Sequence, residues 1–311
     1  ITNEIDFGAT GELENGFTWN YQVQFDPGAQ TTAGQGGIDD TRLELTTPYG
    51  TLGVYVSEGG LDTDNKNSQS VYGRPTDIGF TTGMADTYDI GSFTNLQYHL
   101  PSGILPLDAT FKAAYATGQD STYNSGNAGG TNVDQYGSAA EQYQVTITPV
   151  DNLVIAADYY RESGAGLTAT PVVQEAESGS LGATYTYGDA SFGISRSLKA
   201  PLILGSSATT TVISNASAAG GNANAVRHWT TKKMSAAYNI SEDLSVSYEV
   251  EKSNRELIVN TAENDIKSQA VQVAYTMGGM TLALSRASHD NAAYALNDDS
   301  DQTLFAMSMA F

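Results

Sequence analysis

Apolar and polar side chains alternate at every second position in many short stretches of this chain. The clearest is FTWNYQVQF at 17–25, where five apolar or aromatic residues alternate with four polar ones. Because successive side chains of a β-strand point to opposite faces, each such stretch predicts a two-faced strand. The other clear stretches are LDATFKAAY (107–115), YQVTI (143–147), LGATYTY (181–187), LSVSYEVE (244–251) and DQTLFAMSMAF (301–311). The chain is therefore predicted to be all-β.

The links between these stretches alternate in length. Short, turn-rich links such as PYG (48–50) and VDN (150–152) are followed by long Gly/Ser/Asn-rich links such as 118–137 and 205–225. Short periplasmic turns and long extracellular loops are typical of a transmembrane β-barrel, whose apolar outer face is covered by lipid. We therefore predict one antiparallel transmembrane barrel spanning residues 1–311. A soluble β-sandwich or a fibre protein is the alternative, because aromatic residues share one face there as well.

Charge, the length of apolar runs and the first residues each exclude a class of structure or partner. The chain has 35 acidic and 14 basic residues, a net charge of -21, and no cysteine. That balance argues against a nucleic-acid partner, which requires a basic footprint. No apolar run approaches the roughly 18 residues of a membrane-spanning helix. The first residues, ITNEIDFGAT, lack the features of a signal peptide, so we expect any such peptide to have been removed.

In its strand pattern and its terminal aromatic, Phe311, the chain resembles the general porins, which are trimeric, 16-stranded barrels of Gram-negative outer membranes. The resemblance extends over essentially the whole chain. It implies an outer-membrane location, a homotrimer surrounded by lipid and lipopolysaccharide, and recognition of Phe311 by the barrel-assembly machinery. It also implies a loop that folds inward to narrow the pore. Residues 60–92 are the candidate for this loop, and DIGF at 77–80 loosely matches the family's short acidic motif.

The polar face of the strands predicts a water-filled lumen, because a barrel of about sixteen strands is too wide for side chains to fill. We expect Asp77, Asp86 and Asp89 of the inward loop to face a wall that includes Arg42 and Lys112, with Arg74 in the same constriction. The charged residues predicted to line the lumen are Glu12, Arg42, Glu44, Asp108, Lys112, Asp158, Lys233, Glu249, Glu251 and Arg255.

Such a lining predicts passive diffusion of ions and small polar solutes. Cations should be preferred, because acidic residues outnumber basic ones. A substrate-selective porin with a solute-binding lumen is the alternative. No cofactor is predicted, although the acidic stretches DTDN (62–65) and NDDSD (297–301) are candidates for Ca²⁺ as well as for solvated loops.

An outer-membrane barrel enzyme, such as a phospholipase or a protease, is a further alternative, and the residues do not favour it. The three histidines, His99, His228 and His289, are too scattered along the chain for a metal site. A Ser–His pair could be drawn from Ser285 or Ser288 with His289, but neither serine belongs to a nucleophile motif.

Two arginines do not fit the alternation. Arg196 shares the parity of Ile194 and Leu198, and Arg286 shares that of Leu284. A charge facing lipid is costly at mid-membrane and costs little near the interface, so we expect both arginines near the outer rim. A bulge that reverses the parity, or burial at a trimer interface, would account for them equally well.

Counting strands between the links gives about fifteen, whereas single-chain bacterial barrels have an even number. The first strand, 3–13, runs into a short turn, so it should begin on the loop side. In the family that the chain resembles, the inward loop is the third external loop, and here it is the second. We therefore expect roughly 10–25 further residues before Ile1, forming a strand that pairs with 301–311. A strand overlooked within 60–92 is the alternative, and 3–13 would then pair with 301–311.

Overall fold

A computed structural model describes residues 5–25, 38–78, 82–117, 137–164, 172–201, 203–206, 209–214, 226–257 and 264–309. Fifteen strands form one antiparallel sheet, and β9, β12 and β13 form a separate three-stranded sheet. In chain order the strands are β1 (Ile5–Glu12), β2 (Thr18–Phe25), β3 (Ile38–Thr47), β4 (Gly50–Val56), β5 (Asn95–His99), β6 (Thr110–Thr117), β7 (Gly137–Val150), β8 (Leu153–Gly164), β9 (Val172–Gln174), β10 (Ala176–Tyr187), β11 (Ala190–Ala200), β12 (Ile203–Ser206), β13 (Thr209–Ser214), β14 (Val226–Asn239), β15 (Leu244–Leu257), β16 (Ile266–Met277), β17 (Met280–Asp290) and β18 (Ser300–Met309).

The strands of the large sheet pair in chain order. Each strand of the large sheet therefore lies beside the strand of that sheet that comes before it in the chain, as expected when connections join neighbouring strands. The prediction of an all-β, antiparallel fold is confirmed. Of the alternating stretches, residues 18–25 lie in β2, 244–251 in β15 and 301–309 in β18.

The connections alternate between the two ends of the sheet. At one end, called here the short-turn end, β3 and β4 are joined by residues 48–49, β7 and β8 by 151–152, and β16 and β17 by 278–279. At the other, the long-loop end, β4 and β5 are joined by 57–94 and β11 and β14 by 201–225.

The two faces of the sheet differ sharply in polarity. On the inner face, which is contacted by residues 57–94, polar side chains such as Ser180 and Thr231 are buried. On the outer face, Leu181, Ile194 and Met234 are each more than half exposed. Water-soluble proteins show the reverse distribution, with apolar side chains inside. Both faces follow from the period-2 pattern of the sequence, because neighbouring residues in a strand point in opposite directions.

One of the predicted strands begins later than expected. The stretch 107–115 was expected to be extended throughout, but β6 starts at Thr110. Leu107 and Asp108 have φ values of 60° and 49°, so the chain is left-handed there and cannot continue a strand. Asp108 is therefore an exposed turn residue at the short-turn end, and its predicted place on the inner face is wrong.

Arg196 and Arg286 both lie on the outer face, four positions before the long-loop ends of β11 and β17. The ladders on both sides of Arg196 and of Arg286 run through these positions without a register shift. A parity-reversing bulge is therefore not the explanation for either arginine.

β1 and β18 stand at the two edges of the sheet, and within the described ranges no ladder joins them. The expected residues before Ile1 stay a prediction, and Phe311 lies outside the described residues. In the part of the chain that the structure describes, no helix has the length and apolarity needed to cross a membrane. The described helical structure consists of single 3-10 turns at Ile90–Ser92 and Ala292–Tyr294.

Candidate functional site

Residues 57–94, which connect β4 to β5, lie across the inner face of the sheet and are called here the inner segment. Near its end, the Ile90 amide donates to Gln142 Oε1 of β7 at 2.8 Å. In its middle, the Ile78 carbonyl accepts from Gln302 Nε2 of β18 at 2.5 Å. β7 and β18 are separated by seven other strands of the sheet. A single connection contacts both β7 and β18, so the sheet curves around the inner segment.

A series of hydrogen bonds attaches the inner segment to successive strands. The backbone amide and the hydroxyl of Thr63 both donate to Asp158 Oδ1 of β8, each at 2.8 Å. Ser70 Oγ donates to Glu249 Oε2 of β15 at 2.5 Å, and Ser68 binds the same oxygen. The inner-face carboxylates therefore hold the segment in place as well as lining the wall.

Arg74 is the centre of an ionic cluster on the inner segment, with a side chain that is 6% exposed. Its Nε and Nη2 donate to the two oxygens of Asp77 at 2.7 and 2.6 Å. Its Nη1 lies 3.2 Å from Asp86 Oδ1 and 3.3 Å from Glu251 Oε1 of β15. A buried guanidinium is tolerated only when its donors are paired in this way.

The ionisation of the segment's charged groups follows from this pairing. Burial alone would lower the pKa of Arg74, but Asp77, Glu251 and Asp86 outweigh it and raise that pKa. Burial likewise tends to raise the pKa of Asp86, and the charge and hydrogen bond of Arg74 lower it overall. The arginine and the aspartate therefore stabilise each other's charged forms.

Lys233 of β14 adds a second buried cation to the cluster. Its Nζ lies 3.3 Å from Asp64 Oδ2, 3.6 Å from Asp86 Oδ1 and 4.0 Å from Glu251 Oε1, and it also binds Asn65. Thr76 Oγ1 donates to the other oxygen of Glu251 at 2.5 Å. We call Asp64, Arg74, Asp77, Asp86, Lys233 and Glu251 the Arg74 cluster.

Asp89 has a different role from Asp77 and Asp86. Its Oδ1 accepts from the Leu61 amide at 3.0 Å and from the Gly91 amide at 3.2 Å, which ties the two ends of the inner segment together. Arg255 of β15 lies on the same face nearer the long-loop end, with its guanidinium carbon 4.6 Å from the ring centroid of Tyr294.

The predicted wall residues Arg42, Glu44 and Lys112 lie on β3 and β6, away from the Arg74 cluster. Arg42 Nη1 lies 3.5 Å from Glu58 Oε2. Glu44 accepts from Tyr55 Oη at 2.5 Å, and Lys112 stands opposite His99. In the ranges that the structure describes, neither Arg42 nor Lys112 forms an ion pair with Asp77, Asp86 or Asp89. The expectation that these aspartates face that wall stays a prediction, and Glu12 is exposed at the short-turn end of β1.

A notch of two glycines receives the inner segment, and the sequence analysis did not single it out. A Cβ atom at Gly193 of β11 would collide with the backbone carbonyl oxygen of Asn67, and one at Gly182 of β10 would collide with the side-chain amide nitrogen of Asn67. Glycine inside a strand often marks such a close approach of another backbone. Two inward-facing glycines on neighbouring strands are therefore the sequence feature that could have predicted this contact with the inner segment.

Two small apolar clusters hold the segment at other points. Leu61 and Ile90 pack with Ala114, Ala140 and Tyr160 of β6, β7 and β8. Met84 and Ala85 pack against a second cluster formed by Val226, Trp229, Leu257, Ile266 and Tyr294. Apolar contacts therefore hold the inner segment in addition to its hydrogen bonds and ion pairs.

Other candidate chemistry finds little support in the geometry. Within the described residues, which include 62–65 and 297–301, no group of three or more His, Asp or Glu side chains is arranged to hold a metal ion. The β16–β17 ladder places His289 opposite Ser268, and their Nδ1 and Oγ atoms lie 3.1 Å apart. Ser288 instead accepts from Gln269 Nε2, so the pair considered from the sequence is not the one that the fold forms.

No protein-family model matches the chain, and no curated protein matches it. Solved structures do match over nearly its whole length. An anion-selective porin from Comamonas acidovorans aligns over 100% of this chain and 90% of its own, with 11% identity and a TM-score of 0.64. OmpF of Salmonella typhi in complex with daunomycin aligns over 98% and 88%, with 14% identity and a TM-score of 0.60.

The chain has the fold of the bacterial porins. In-vitro folded OmpT of Vibrio cholerae, solved in a trimer form, also matches over 98% of this chain and 89% of its own, with 13% identity and a TM-score of 0.56. The porin fold accounts for the inverted polarity of the sheet, because a transmembrane barrel has an apolar outer face and a polar interior.

Proposed function

We propose that this protein is an outer-membrane porin of a Gram-negative bacterium and that it forms a water-filled channel for passive diffusion of ions and small polar solutes. The single observation that carries the proposal is the inner segment, which crosses the polar face of a sheet whose other face is apolar. Lipid would cover the apolar face and water would fill the space that the segment leaves free. In this proposal the protein is a channel and not an enzyme.

The inner segment is the proposed constriction. The first residues of the segment contact β3, β5 and β6 through Glu58, Gly59 and Leu61, whereas residues 62–89 are attached to strands of the β7–β18 part of the sheet. The open part of the channel would therefore lie between residues 62–89 and the wall formed by β1 to β6.

Asp77 and Asp86 have side chains 52% and 48% exposed, so they can act on a passing ion, whereas Arg74 is buried beneath them. Arg42, Glu44 and Lys112 would form the opposite wall.

Cation preference is the finer part of the proposal. The fold does not decide it, since one porin of the same fold is described as anion-selective. The inner segment carries six acidic residues, Glu58, Asp62, Asp64, Asp77, Asp86 and Asp89, against two basic ones, Lys66 and Arg74. Charges in a narrow passage with low-dielectric walls are felt strongly, so a net acidic lining favours cations.

A homotrimer in contact with outer-membrane lipid and lipopolysaccharide completes the proposal, with Phe311 as the signal for the barrel-assembly machinery. OmpT of Vibrio cholerae, which shares the fold, is described in a trimer form. A trimer of channels should insert into a planar bilayer as one event with three equal closing steps.

Recordings in a planar bilayer test the proposal. We expect stepwise conductance and, in a salt gradient, a reversal potential of the sign set by cation permeation. An anion-directed potential would overturn the cation preference alone, and no conductance from folded protein would overturn the channel. Conductance that saturates with one sugar or amino acid would favour the substrate-selective alternative.

A further inference from the structure

The loop that joins β17 to β18 at the long-loop end, residues 291–299, has a strained backbone and is called here the clasp loop. Ala293 and Tyr294 have φ values of 53° and 60°, in the left-handed region that alanine and tyrosine rarely adopt. Asn291 and Asn297, at 55° and 60°, are also left-handed, but asparagine tolerates this conformation. Among the described residues, eight that are not glycine have a positive φ, and four of these lie in the clasp loop.

Hydrogen bonds within the clasp loop close its base. The Ala292 amide donates to the Asp298 carbonyl at 2.8 Å, and the Asn291 amide donates to Asp299 Oδ1 at 3.0 Å. The Asn297 amide in turn donates to Asn291 Oδ1 at 3.1 Å. The base of the loop is therefore held by bonds that do not involve the inner segment.

Tyr294 carries the clasp loop over the inner face of the sheet. Its side chain is buried, and its Oη lies 2.9 Å from Ser253 Oγ of β15. Its ring belongs to the apolar cluster against which Met84 and Ala85 of the inner segment pack. Strained backbone persists only where surrounding contacts hold it, and these contacts are what holds Tyr294.

Ala293, the other strained residue, touches the inner segment directly. Its amide donates to the buried Thr82 carbonyl at 2.8 Å. The two backbones are close, because a Cβ atom at Gly83 would lie 3.3 Å from Ala293 Cα. The φ angle of Ala293 sets the direction of its N–H relative to the chain that follows. A return to negative φ would therefore break the bond to Thr82 or withdraw Tyr294 from its cluster.

The β17–β18 hairpin thus holds the inner segment at two points. Gln302 Nε2 binds the Ile78 carbonyl at 2.5 Å, and Ala293 binds Thr82. Asp86, four residues beyond Thr82, has a side chain that is 48% exposed and lies beside the proposed passage. The bond from Ala293 therefore helps to fix the part of the segment that carries Asp86.

We propose that the clasp loop positions residues 82–86 of the inner segment and exchanges between two states. In the fastened state Ala293 binds Thr82, and in the released state the left-handed residues relax to negative φ. The inference rests on the proposed function, because its consequence is the place of Asp86 beside a conducting channel. The strain brings the two states close in free energy, so the loop releases while the strands stay paired. Release frees residues 82–86, and the channel then leaves its main conductance level.

Three substitutions in the clasp loop vary the strain and leave the strands untouched. A293G keeps the amide and removes the cost of a φ of 53°, because glycine has no Cβ atom. A293P removes the amide and fixes φ near about −65°, so the clasp cannot fasten. A295G is the matched control, because Ala295 has a φ of −91° and glycine relieves no strain there.

Hydrogen exchange in detergent micelles measures the release itself, since the amide of residue 293 is protected while it binds Thr82. After correction for intrinsic rates, this amide should exchange at least about fivefold more slowly in A293G than in the wild type, because left-handed alanine costs at least that factor. A295G should leave the rate unchanged or raise it. Equal rates in A293G and the wild type, or equal slowing by A295G, would overturn the clasp.

Planar-bilayer recordings measure the effect of the clasp on the channel. A293G should spend at least about fivefold less time away from its main conductance level than the wild type, for the same reason. A293P should spend most of its time away from that level. Unchanged dwell times in both variants would overturn the link between the clasp and the channel.

The two measurements separate this inference from the proposed function. Absence of conductance in the wild type would overturn the channel, and the exchange rates in micelles would still decide whether the clasp exists. Thermal unfolding verifies that A293P is folded. If A293P does not fold, A293G and A295G still decide the matter, because their expected effects on exchange differ.

Discussion

Arg74 of the inner segment and Glu251 of β15 approach to 3.3 Å with side chains that are 6% and 0% exposed. They are separated by 177 positions along the chain. This pair joins the segment to the wall at a point where neither charge is solvated, so each ion depends on the other and on its remaining partners.

Replacing Arg74 by glutamine should destabilise the protein and release the segment. Glu251 would lose its closest cation while remaining buried, and breaking a buried pair in this way costs about 3 kcal/mol. Urea unfolding in detergent micelles measures the loss, and single-channel recordings should show a larger and noisier conductance. The control is R286Q, which breaks the exposed ion pair of Arg286 Nη2 with Asp301 Oδ2, 3.1 Å apart, and should cost less than about 1 kcal/mol. Equal losses for the two variants would contradict the anchoring role of Arg74.

Gly193→Ala should displace the inner segment without disturbing the strand. The new methyl group would collide with the Asn67 carbonyl, and overpacking of this kind costs about 1–3 kcal/mol. Conductance and thermal stability are the readouts, and both should change. Gly8→Ala is the matched control, because its nearest atom would be the Tyr21 carbonyl oxygen at 3.8 Å. An unchanged channel in G193A would show that the segment does not need the notch.

Stability should fall as the pH rises from 3.8 to about 8 because of Asp62 on the inner segment. Burial, assisted by the charges of Asp89 and Asp64, raises the pKa of Asp62 from 3.8 to about 8. An acid whose pKa is raised by folding stabilises the folded state fully below pH 3.8, and that contribution is lost as the pH rises through about 8. Denaturation midpoints measured from pH 5 to 9 should therefore decline, and Asp62→Asn should flatten the decline.

Asp86 should have the opposite effect. Arg74 holds the pKa of Asp86 below its usual range, so its contribution to stability is present above the unfolded pKa of 3.8 and is lost as the pH falls further. Asp86→Asn should weaken the decline in stability below pH 3.8 and leave the Asp62-dependent decline between pH 3.8 and about 8 as in the wild type. If D62N and D86N change the same limb, the assignment of the two carboxyl groups is wrong.

Lys66→Glu should strengthen the preference for cations. Of the two basic residues on the inner segment, Arg74 is buried and Lys66 is exposed, so Lys66 is the one that an ion in the channel meets. Reversing its charge makes the passage more negative. The reversal potential in a salt gradient should move toward the cation limit, while R161Q, which lies on the outer face, should leave it unchanged. A shift toward anions would contradict the place given to the segment.

The strands and their order were determined by the sequence itself. The period-2 pattern of β2, β15 and β18 and the alternation of short and long links are local properties, because they depend on which way neighbouring side chains point and on how many residues join two strands. The same local logic identified the charged residues of the inner face, among them Asp158, Lys233, Glu249 and Glu251. It failed at Asp108, where a left-handed turn replaced the expected extended chain.

Only the tertiary structure decided the partners of those residues. Whether Asp86 pairs with Arg74 or with Arg42 depends on where residues 57–94, which have no regular pattern, lie on the curved sheet. The same holds for Asp89, which ties the two ends of the segment together. Four basic residues of the outer face show the same dependence on tertiary structure. Arg196, Lys232, Lys252 and Lys267 are far apart in the chain, and the register of four strands makes them neighbours. The period-2 pattern determines on which face of the sheet a side chain lies, because neighbouring residues of a strand point in opposite directions. The contacts of that side chain depend on how long connections bring distant residues together, and no short stretch of sequence determines this.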